Sequence, residues 1–432
     1  MPFRPSGLKE EPLHEEVWSG AHRCTRDSTE SYAIALWNGI ESEISNERDH
    51  TYGRRKDTMT FSGLSQDEFT GKLHAAFQYF QSNRQTAIES LSKERTVIVY
   101  SFGAKGREFA NKLREDRIEC LIYDNAKQAV ENAEAEGFKT TSDLTLDLPL
   151  IVAAGQNQLN ILSGLTRPAY SLPEGFYSFD LINNYGKARL FTEAVLMLAS
   201  ELYRIYEKLD EAYRADFLSV LLFRVSLDVR YVASTRKPVA QMWTPPTEVG
   251  NIRSYCDVGA FDGDTLISMK AAFPSLESTL AIEPNFDLVS KIETAATSSG
   301  LKNRVFRGAA WSHKAKLSCQ AWPNGMMVIR EDAMGTIDAD ALDNIASSQQ
   351  YDYIKFDVEG AEAPALTGAR SVLRGSRCIA IAAYHLPNDF LNIPNQVSAI
   401  LGSDLKSEWR CAFRHYSECF DDSIFYFFRG EL

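Results

Sequence analysis

Apolar positions along the chain fall into two rhythms. From Asp67 to Leu91 they recur at helical spacing, with Phe69, Leu73, Phe77 and Phe80 on one face, which predicts an amphipathic helix. Thr96–Tyr100 is then a continuous apolar run, the pattern of a strand buried on both faces of a parallel sheet. Gly103 and Gly106 follow, then a helical segment from Arg107 to Arg114 and a second strand at Glu119–Tyr123 that ends on Asp124-Asn125. A later strand spans Leu148–Ala154. Residues 187–232 return to helical spacing through Ala194, Leu198, Leu202, Ile205 and Leu209, then Phe217, Leu221 and Val225, with charges on the opposite face. Pro245, Pro246 and Gly250 interrupt the pattern and mark a linker.

Beyond the linker, strands and helices alternate. Strands are expected at 254–257, 279–283, 304–308, 352–357 and 377–383, with helices between them that include Thr265–Phe273 and Asp338–Ile345. Ala315–Trp322 and Met326–Ile329 predict an inserted hairpin turned at Pro323-Asn-Gly. Glu408–Tyr416 and Ser423–Phe428 form a closing hairpin, which puts an antiparallel edge on an otherwise parallel sheet. The fold class is α/β: a seven-stranded, mostly parallel, Rossmann-like C-terminal sheet plus a smaller N-terminal Rossmann-like α/β domain. At 432 residues the chain exceeds one typical core. The expected division is an N-terminal arm and helix at 1–91, a Rossmann-like domain at 92–182, a helical bridge and linker at 183–245, and a catalytic domain with its own core at 246–432. The polar first 70 residues are expected to be loosely ordered, apart from a short helix at Tyr32–Ile44.

The most informative stretch is the turn that follows the first strand after the linker, from Asp257 to Thr265. Gly259 and Gly263 let backbone pass close to a ligand, and the next strand ends on Glu283, 20 residues after Gly263. An acid at that distance takes ribose hydroxyls in nucleoside-binding sheets. The turn is not a dinucleotide fingerprint. Phe261 and Asp262 stand where that pattern wants glycine or a small neutral residue, and Asp262 and Asp264 put negative charge where a pyrophosphate would sit. An acidic turn suits a nucleoside without phosphates, and better a cationic one. S-adenosylmethionine carries adenosine, a sulfonium and an ammonium. The N-terminal turn, Ser101-Phe-Gly-Ala-Lys-Gly106, has serine in place of the first glycine, with Asp124 18 residues after Gly106. It is a weaker match and reads as a structural or substrate-docking unit. The rival readings are an NAD- or nucleotide-sugar-binding enzyme centred there, and a non-catalytic scaffold.

Methyl transfer needs alignment and, for a hydroxyl acceptor, removal of a proton. Asp257 is placed to orient the cofactor through the turn amides or its amino group, and Glu283 to accept both ribose hydroxyls. The small residues Gly308, Ala309 and Ala310 leave room for an adenine, which Trp311 either covers or leaves by joining the core. Asp357, Glu359 and Glu362 end the fourth strand, with Gly360 allowing a sharp turn under a ligand. Glu362 reads as a first-turn helix charge. Asp357 and Glu359 read as facing the cofactor's charged end or the acceptor. His385 after the fifth strand is the candidate general base, with Asp389 as a candidate to orient it. His415 and Tyr416 are the second choice for substrate contact. No metal is assigned, since no spacing demands one, although Asp357, Glu359 and His385 are donors of the magnesium type.

Five segments occur in order: Asp-Val-Gly-Ala-Phe-Asp-Gly-Asp-Thr (257–265), Ile-Glu-Pro-Asn (282–285), Ile-Lys-Phe-Asp-Val-Glu-Gly-Ala-Glu (354–362), Ala-Tyr-His-Leu-Pro-Asn-Asp-Phe (383–390) and His-Tyr-Ser-Glu (415–418). Together they resemble the FkbM family of S-adenosylmethionine-dependent methyltransferases over about residues 246–432. The resemblance implies a seven-stranded methyltransferase sheet and O-methylation of sugar or natural-product hydroxyls. It brings Phe261, Pro284 and Asn285 into the cofactor-binding set. Phe356 departs from the family, which usually has an aliphatic residue there.

The net charge of −12 argues against a nucleic-acid partner and against an anionic membrane surface. No run approaches the ~18 apolar residues of a membrane span, and the first residues carry no apolar signal core. Seven scattered cysteines without close pairs read as reduced thiols of a cytoplasmic protein. The expected partner is a small-molecule or glycan hydroxyl acceptor. Oligomeric state is left open, a homodimer included.

Overall fold

The apolar run Thr96–Tyr100 forms strand β1, buried from Val97 to Tyr100. The protein is represented by a computed structural model that describes residues 63–94, 96–115, 117–154, 161–162, 164–167, 169–171, 186–233, 235–246, 249–321, 327–402 and 408–429. With β2 (Glu119–Tyr123), β3 (Lys139–Thr140), β4 (Leu150–Val152) and β5 (Tyr170–Ser171), β1 builds an all-parallel sheet in the order β3-β2-β1-β4-β5. This is the strand order of a doubly wound sheet. β4 is shorter than expected because Leu148 still belongs to a turn, its N–H donating to the Leu146 carbonyl. The helix expected at Tyr32–Ile44 and the turn at Pro323-Asn-Gly lie outside the described residues.

Beyond the linker, β6 (Ser254–Val258), β7 (Ser278–Ile282) and β8 (Lys302–Phe306) begin the second sheet. The chain then leaves it for β9 (Ala309–Trp311), β10 (Ala315–Ala321), β11 (Met327–Glu331) and β12 (Ile337–Ala341), which form a separate four-stranded sheet ordered β11-β10-β12-β9. It returns as β13 (Tyr353–Phe356), β14 (Cys378–Ala382), β15 (Trp409–His415) and β16 (Ser423–Arg429). The large sheet has the order β15-β16-β14-β13-β6-β7-β8. Its pairs are parallel from β14 to β8, and β16 runs antiparallel between β14 and β15. The seven-stranded α/β sheet and its antiparallel closing hairpin are therefore as expected.

One expected helix is largely a strand. The helix expected over Asp338–Ile345 is strand β12 as far as Ala341, and only Leu342–Ile345 is helical. Ile337, Ala339 and Ala341 alternate with Asp338 and Asp340, a period of two that suits a half-exposed strand. β10 and β9 take up its two edges.

The helical segment 186–233 is part of the large sheet's core. Helix Glu211–Ser226 is buried from Asp216 to Ser226. Phe217 stacks edge-on against Phe413 of β15 at 5.2 Å and lies 5.6 Å from Phe390 and 6.0 Å from Phe425 of β16. Phe69 and Leu73 of helix Gln66–Glu94 join the same apolar cluster. Arg224, fully buried, lays its guanidinium 3.6 Å from the centre of the Phe390 ring. One core thus runs across the linker. No described helix is long and apolar enough to cross a membrane.

Removing the Phe217 ring opens a cavity where the helix meets the hairpin. Phe217→Ala in the full chain is expected to cost about 3–5 kcal/mol, read as a lower urea midpoint with an unchanged m-value.

Candidate active site

The site is built on the carboxyl ends of β6 and β7. Gly259 leaves β6 with φ +87°, and a Cβ there would lie 1.8 Å from the Asp357 carbonyl oxygen. Glycine is required by both conformation and space. The N–H groups of Gly259 and Ala260 donate to the Ile282 carbonyl at 3.0 and 3.1 Å, binding the turn to the end of β7. Phe261 follows at φ +47° and is 62% exposed. Gly263, at φ +87°, heads helix Asp264–Ala272. Glu283 is the peg of this turn. Its Oε2 accepts the Phe261 N–H at 2.9 Å and its Oε1 the Asn285 N–H at 2.8 Å. Each oxygen keeps a lone pair for a further donor. Burial raises the Glu283 pKa, and the two amides pull against it. Pro284 is half-buried, and Asn285 is exposed, its side chain accepting the Asp287 N–H at 3.0 Å. The Gly308 N–H donates to the Glu283 carbonyl at 3.1 Å, which brings the start of β9 alongside, with Ala309 half-buried and Ala310 buried. Of its two readings, Trp311 takes the core one. It packs with Leu317, Ala339 and Ala361, and its indole N–H donates to Glu331 Oε1 at 2.7 Å.

A second group of side chains meets at the ends of β13 and β14. Glu359 and Gly360 both have positive φ, +55° and +96°, so the chain doubles back here. Glu359 is 72% exposed and Asp357 partly so, whereas Glu362 is 1% and His385 8% exposed. His385 Nδ1 lies 2.8 Å from Glu362 Oε1, which also accepts the Val358 N–H at 3.0 Å. His385 Nε2 points at Asp357 Oδ1 and Glu359 Oε2, 3.5 and 3.6 Å away. The Tyr384 hydroxyl donates to Asp357 Oδ1 at 3.2 Å.

Three expectations are corrected here. Glu362 is not merely a helix charge; it is the partner of the imidazole. Asp389 does not touch His385: it accepts the Leu386 N–H at 2.7 Å, and burial together with the Glu362 charge pushes its pKa up to about 7. His385 is not a free base. Burial alone would lower its pKa, but the bond to Glu362 and the charges of Glu362, Asp357 and Glu359 outweigh it and raise the value to about 9. At neutral pH the ring already carries the proton that a base would have to accept.

Residues 257–414 match the model of the methyltransferase FkbM domain. This stretch is an FkbM methyltransferase domain. It contains Asp257, Glu283, Asp357, Glu359, Glu362 and His385. The crystal structure of methyltransferase FkbM from Methylobacillus flagellatus KT is similar over 84% of this chain and 100% of that chain, with a TM-score of 0.63 and 17% identity. At that identity the likeness establishes the fold. A putative O-methyltransferase from Klebsiella pneumoniae (10% identity, 42% of this chain and 74% of that chain, TM-score 0.27) and fibrillarin from Aeropyrum pernix (13%, 42% and 68%, 0.27) are more distant. No curated protein matches the sequence.

Beneath the FkbM domain's glycine turn lies a buried ion pair. Asp257 is fully buried. Its Oδ1 accepts from Lys355 Nζ at 2.9 Å and its Oδ2 from the Thr265 hydroxyl. Lys355 is the residue paired with Asp257 across β6 and β13. Its ammonium also donates to the Gly259 carbonyl at 2.8 Å and lies 4.9 Å from the centre of the Trp243 ring. Burial by itself lowers the Lys355 pKa, but Asp257 and Asp357 outweigh it and hold the ammonium charged. Asp257 therefore acts on the turn through Lys355, not through turn amides. Sequence reading passed over Lys355. The available signal was a lysine inside the apolar strand Tyr-Ile-Lys-Phe, because a buried ammonium requires a partner.

The N-terminal turn repeats part of this construction. Asp124 Oδ2 accepts the Phe102 N–H at 2.8 Å and Oδ1 the Ala126 N–H at 2.8 Å, as Glu283 does for Phe261 and Asn285. His415 and Tyr416, the second choice for substrate contact, belong to the hairpin's core. His415 is fully buried with Nδ1 3.0 Å from the Ser423 hydroxyl, and the Tyr416 hydroxyl lies 2.7 Å from that of Tyr426.

Two measurements follow. Lys355→Met leaves the Asp257 carboxylate buried without its cation and should destabilise the protein by about 3–5 kcal/mol; adding Asp257→Asn should recover part of that loss in chemical denaturation. Burial pushes His415 down to about 3, so the unfolded chain binds a proton there that the native protein refuses. Stability from this site is therefore lost as pH falls from about 6.5 towards 3, by up to ~1.4 kcal/mol per pH unit. Urea denaturation at pH 6, 5 and 4 should show a shallower decline for His415→Gln than for the parent.

Proposed function

We propose that the protein is an S-adenosylmethionine-dependent O-methyltransferase acting on a hydroxyl of a sugar, glycan precursor or secondary metabolite. The observation that carries this reading is the turn from Gly259 to Gly263 braced by Glu283. It offers close backbone approach, a carboxylate with spare lone pairs, and acids in place of a phosphate cradle. That combination favours a nucleoside with positive charge over a dinucleotide. The FkbM domain and its fold support the same class of chemistry.

When bound, S-adenosylmethionine would supply an activated methyl group, which would pass to the acceptor oxygen as the carbon–sulfur bond breaks, the hydroxyl proton going to solvent. Glu283 would hold the ribose. Asp357 and the exposed Glu359 would face the cofactor's cationic end and the acceptor. His385, already protonated, would help to hold these carboxylates in place. Alignment of the two substrates supplies much of the rate. The N-terminal parallel sheet serves as an acceptor-docking unit in this scheme, and the acidic charge and the free cysteines among the described residues agree with a cytoplasmic enzyme of small molecules.

Calorimetry on the full chain should show binding of S-adenosylmethionine and S-adenosylhomocysteine, and none of NAD or a nucleotide sugar. Glu283→Gln keeps the size of the side chain but removes the charge. It should weaken cofactor binding by about 1.5–3 kcal/mol, the worth of a hydrogen bond to a charged group. Unchanged affinity in a folded Glu283→Gln protein, or binding of NAD in place of the sulfonium cofactor, would reject the assignment.

A further inference from the structure

We infer that the carboxyl ends of β13 and β14 hold a divalent metal ion, bound by Asp357 and Nε2 of His385 with Glu359 at the rim, and that Glu362 orients the imidazole from its Nδ1 side. One ligand atom from each of Asp357, Glu362 and His385 lies within 4.8 Å of the other two. Proximity of acids alone does not make a site. The second observation is that one atom of this cluster, Nε2 of His385, is buried and makes no hydrogen bond. It belongs to a side chain more than nine-tenths buried. Unsatisfied groups at that depth are costly and rare in native proteins, and each that occurs needs an explanation. A cation on the Nε2 side of the ring satisfies it.

The distances fit. His385 Nε2 lies 3.5 Å from Asp357 Oδ1 and 3.6 Å from Glu359 Oε2, too far for good hydrogen bonds. Donor atoms each about 2.0–2.2 Å from one shared ion stand roughly 3–3.5 Å apart. The imidazole is also presented correctly. Glu362 engages Nδ1 at 2.8 Å, which leaves the other ring nitrogen aimed at the carboxylates. A carboxylate behind a histidine is the arrangement that orients metal-binding imidazoles. The donor set of one nitrogen and several carboxylate oxygens suits manganese, iron or zinc better than calcium. Charge argues the same way: three carboxylates gathered around one imidazole exceed what a single proton neutralises.

An ion here would displace the proton from Nε2 to solvent and give the FkbM domain what a protonated His385 does not. It would bind the acceptor oxygen and lower the pKa of its hydroxyl, so that the proton leaves before methyl transfer. This role rests on the methyl-transfer reading, whereas the binding does not. Glu359, exposed at the rim, leaves the solvent side open for an acceptor.

The test uses the full chain, freed of metal with a chelator and titrated with Mn²⁺, Zn²⁺ and Mg²⁺ by calorimetry, with S-adenosylhomocysteine affinity measured on the same samples. The expected result is one saturable site for Mn²⁺ or Zn²⁺, weakened at least tenfold by His385→Asn and by Asp357→Asn, and less by Glu359→Gln. Pulsed electron paramagnetic resonance of the Mn²⁺-loaded parent should show coupling to a histidine nitrogen, a readout that needs no variant to fold. Absence of saturable binding by all three ions overturns the inference, as does an unperturbed affinity in the folded variants or an Mn²⁺ signal without nitrogen coupling. Retained cofactor binding alongside any of these failures would remove the metal and leave the proposed function standing.

Discussion

The arrangement depends on one buried ion pair. Lys355 and Asp257 face each other across the two central strands of the large sheet, and the lysine's remaining reach is spent on the Gly259 carbonyl. Two charges taken out of water gain nothing unless both are fully engaged. Here the carboxylate has the ammonium and the Thr265 hydroxyl, and the ammonium has the carboxylate, a carbonyl and the face of Trp243. The pair therefore specifies more than it stabilises. It admits one register between β6 and β13 and one path for the chain leaving β6. The glycine turn above inherits its shape from that constraint, and Glu283 fixes it from the other side.

The carboxyl edge of the sheet is organised by negative charge. Asp257 is neutralised below the surface, but Asp357, Glu359 and Glu362 gather at the edge around a single imidazole. That concentration of acid requires a positive charge, and His385 holds a proton in consequence. The same field would favour a sulfonium, an ammonium or a metal ion. A phosphate-bearing cofactor would meet repulsion at Asp262 and Asp264 as well as at this cluster.

The two parallel sheets share a device without sharing a sequence. In each, an acid at the end of a strand accepts the amide of a phenylalanine in the neighbouring strand's first turn, Asp124 with Phe102 and Glu283 with Phe261. In both cases the acid braces the backbone, so an acid at that spacing marks a well-formed turn before it marks a ligand. The FkbM fold adds the open glycine path and the second acid cluster. The helical segment before the linker packs into the large sheet through Phe217, so sequence punctuation at Pro245-Pro246 marks a change of element and not a gap in the core.

Local pattern determined a good deal. Continuous apolar runs specified the parallel strands, and helical periodicity specified the bridge. The spacing from Gly263 to Glu283 located the glycine turn and the acid that braces it, because each of these is a property of a short stretch and its nearest neighbours. It failed at Ile337–Ala341, where a period of two was present but weak, with small alanines on the apolar face. What no local pattern carried is which charges meet. Lys355 finds Asp257 from 98 residues away, and Glu362 finds His385 across 23, because strand order places the ends of β6, β13 and β14 side by side. The same packing carried His415 and Tyr416 into the core. A pKa depends on burial and on every charge within a few ångströms. The protonation of His385 was therefore decided by the folded sheet edge, and the identity of a single histidine in the sequence left it open.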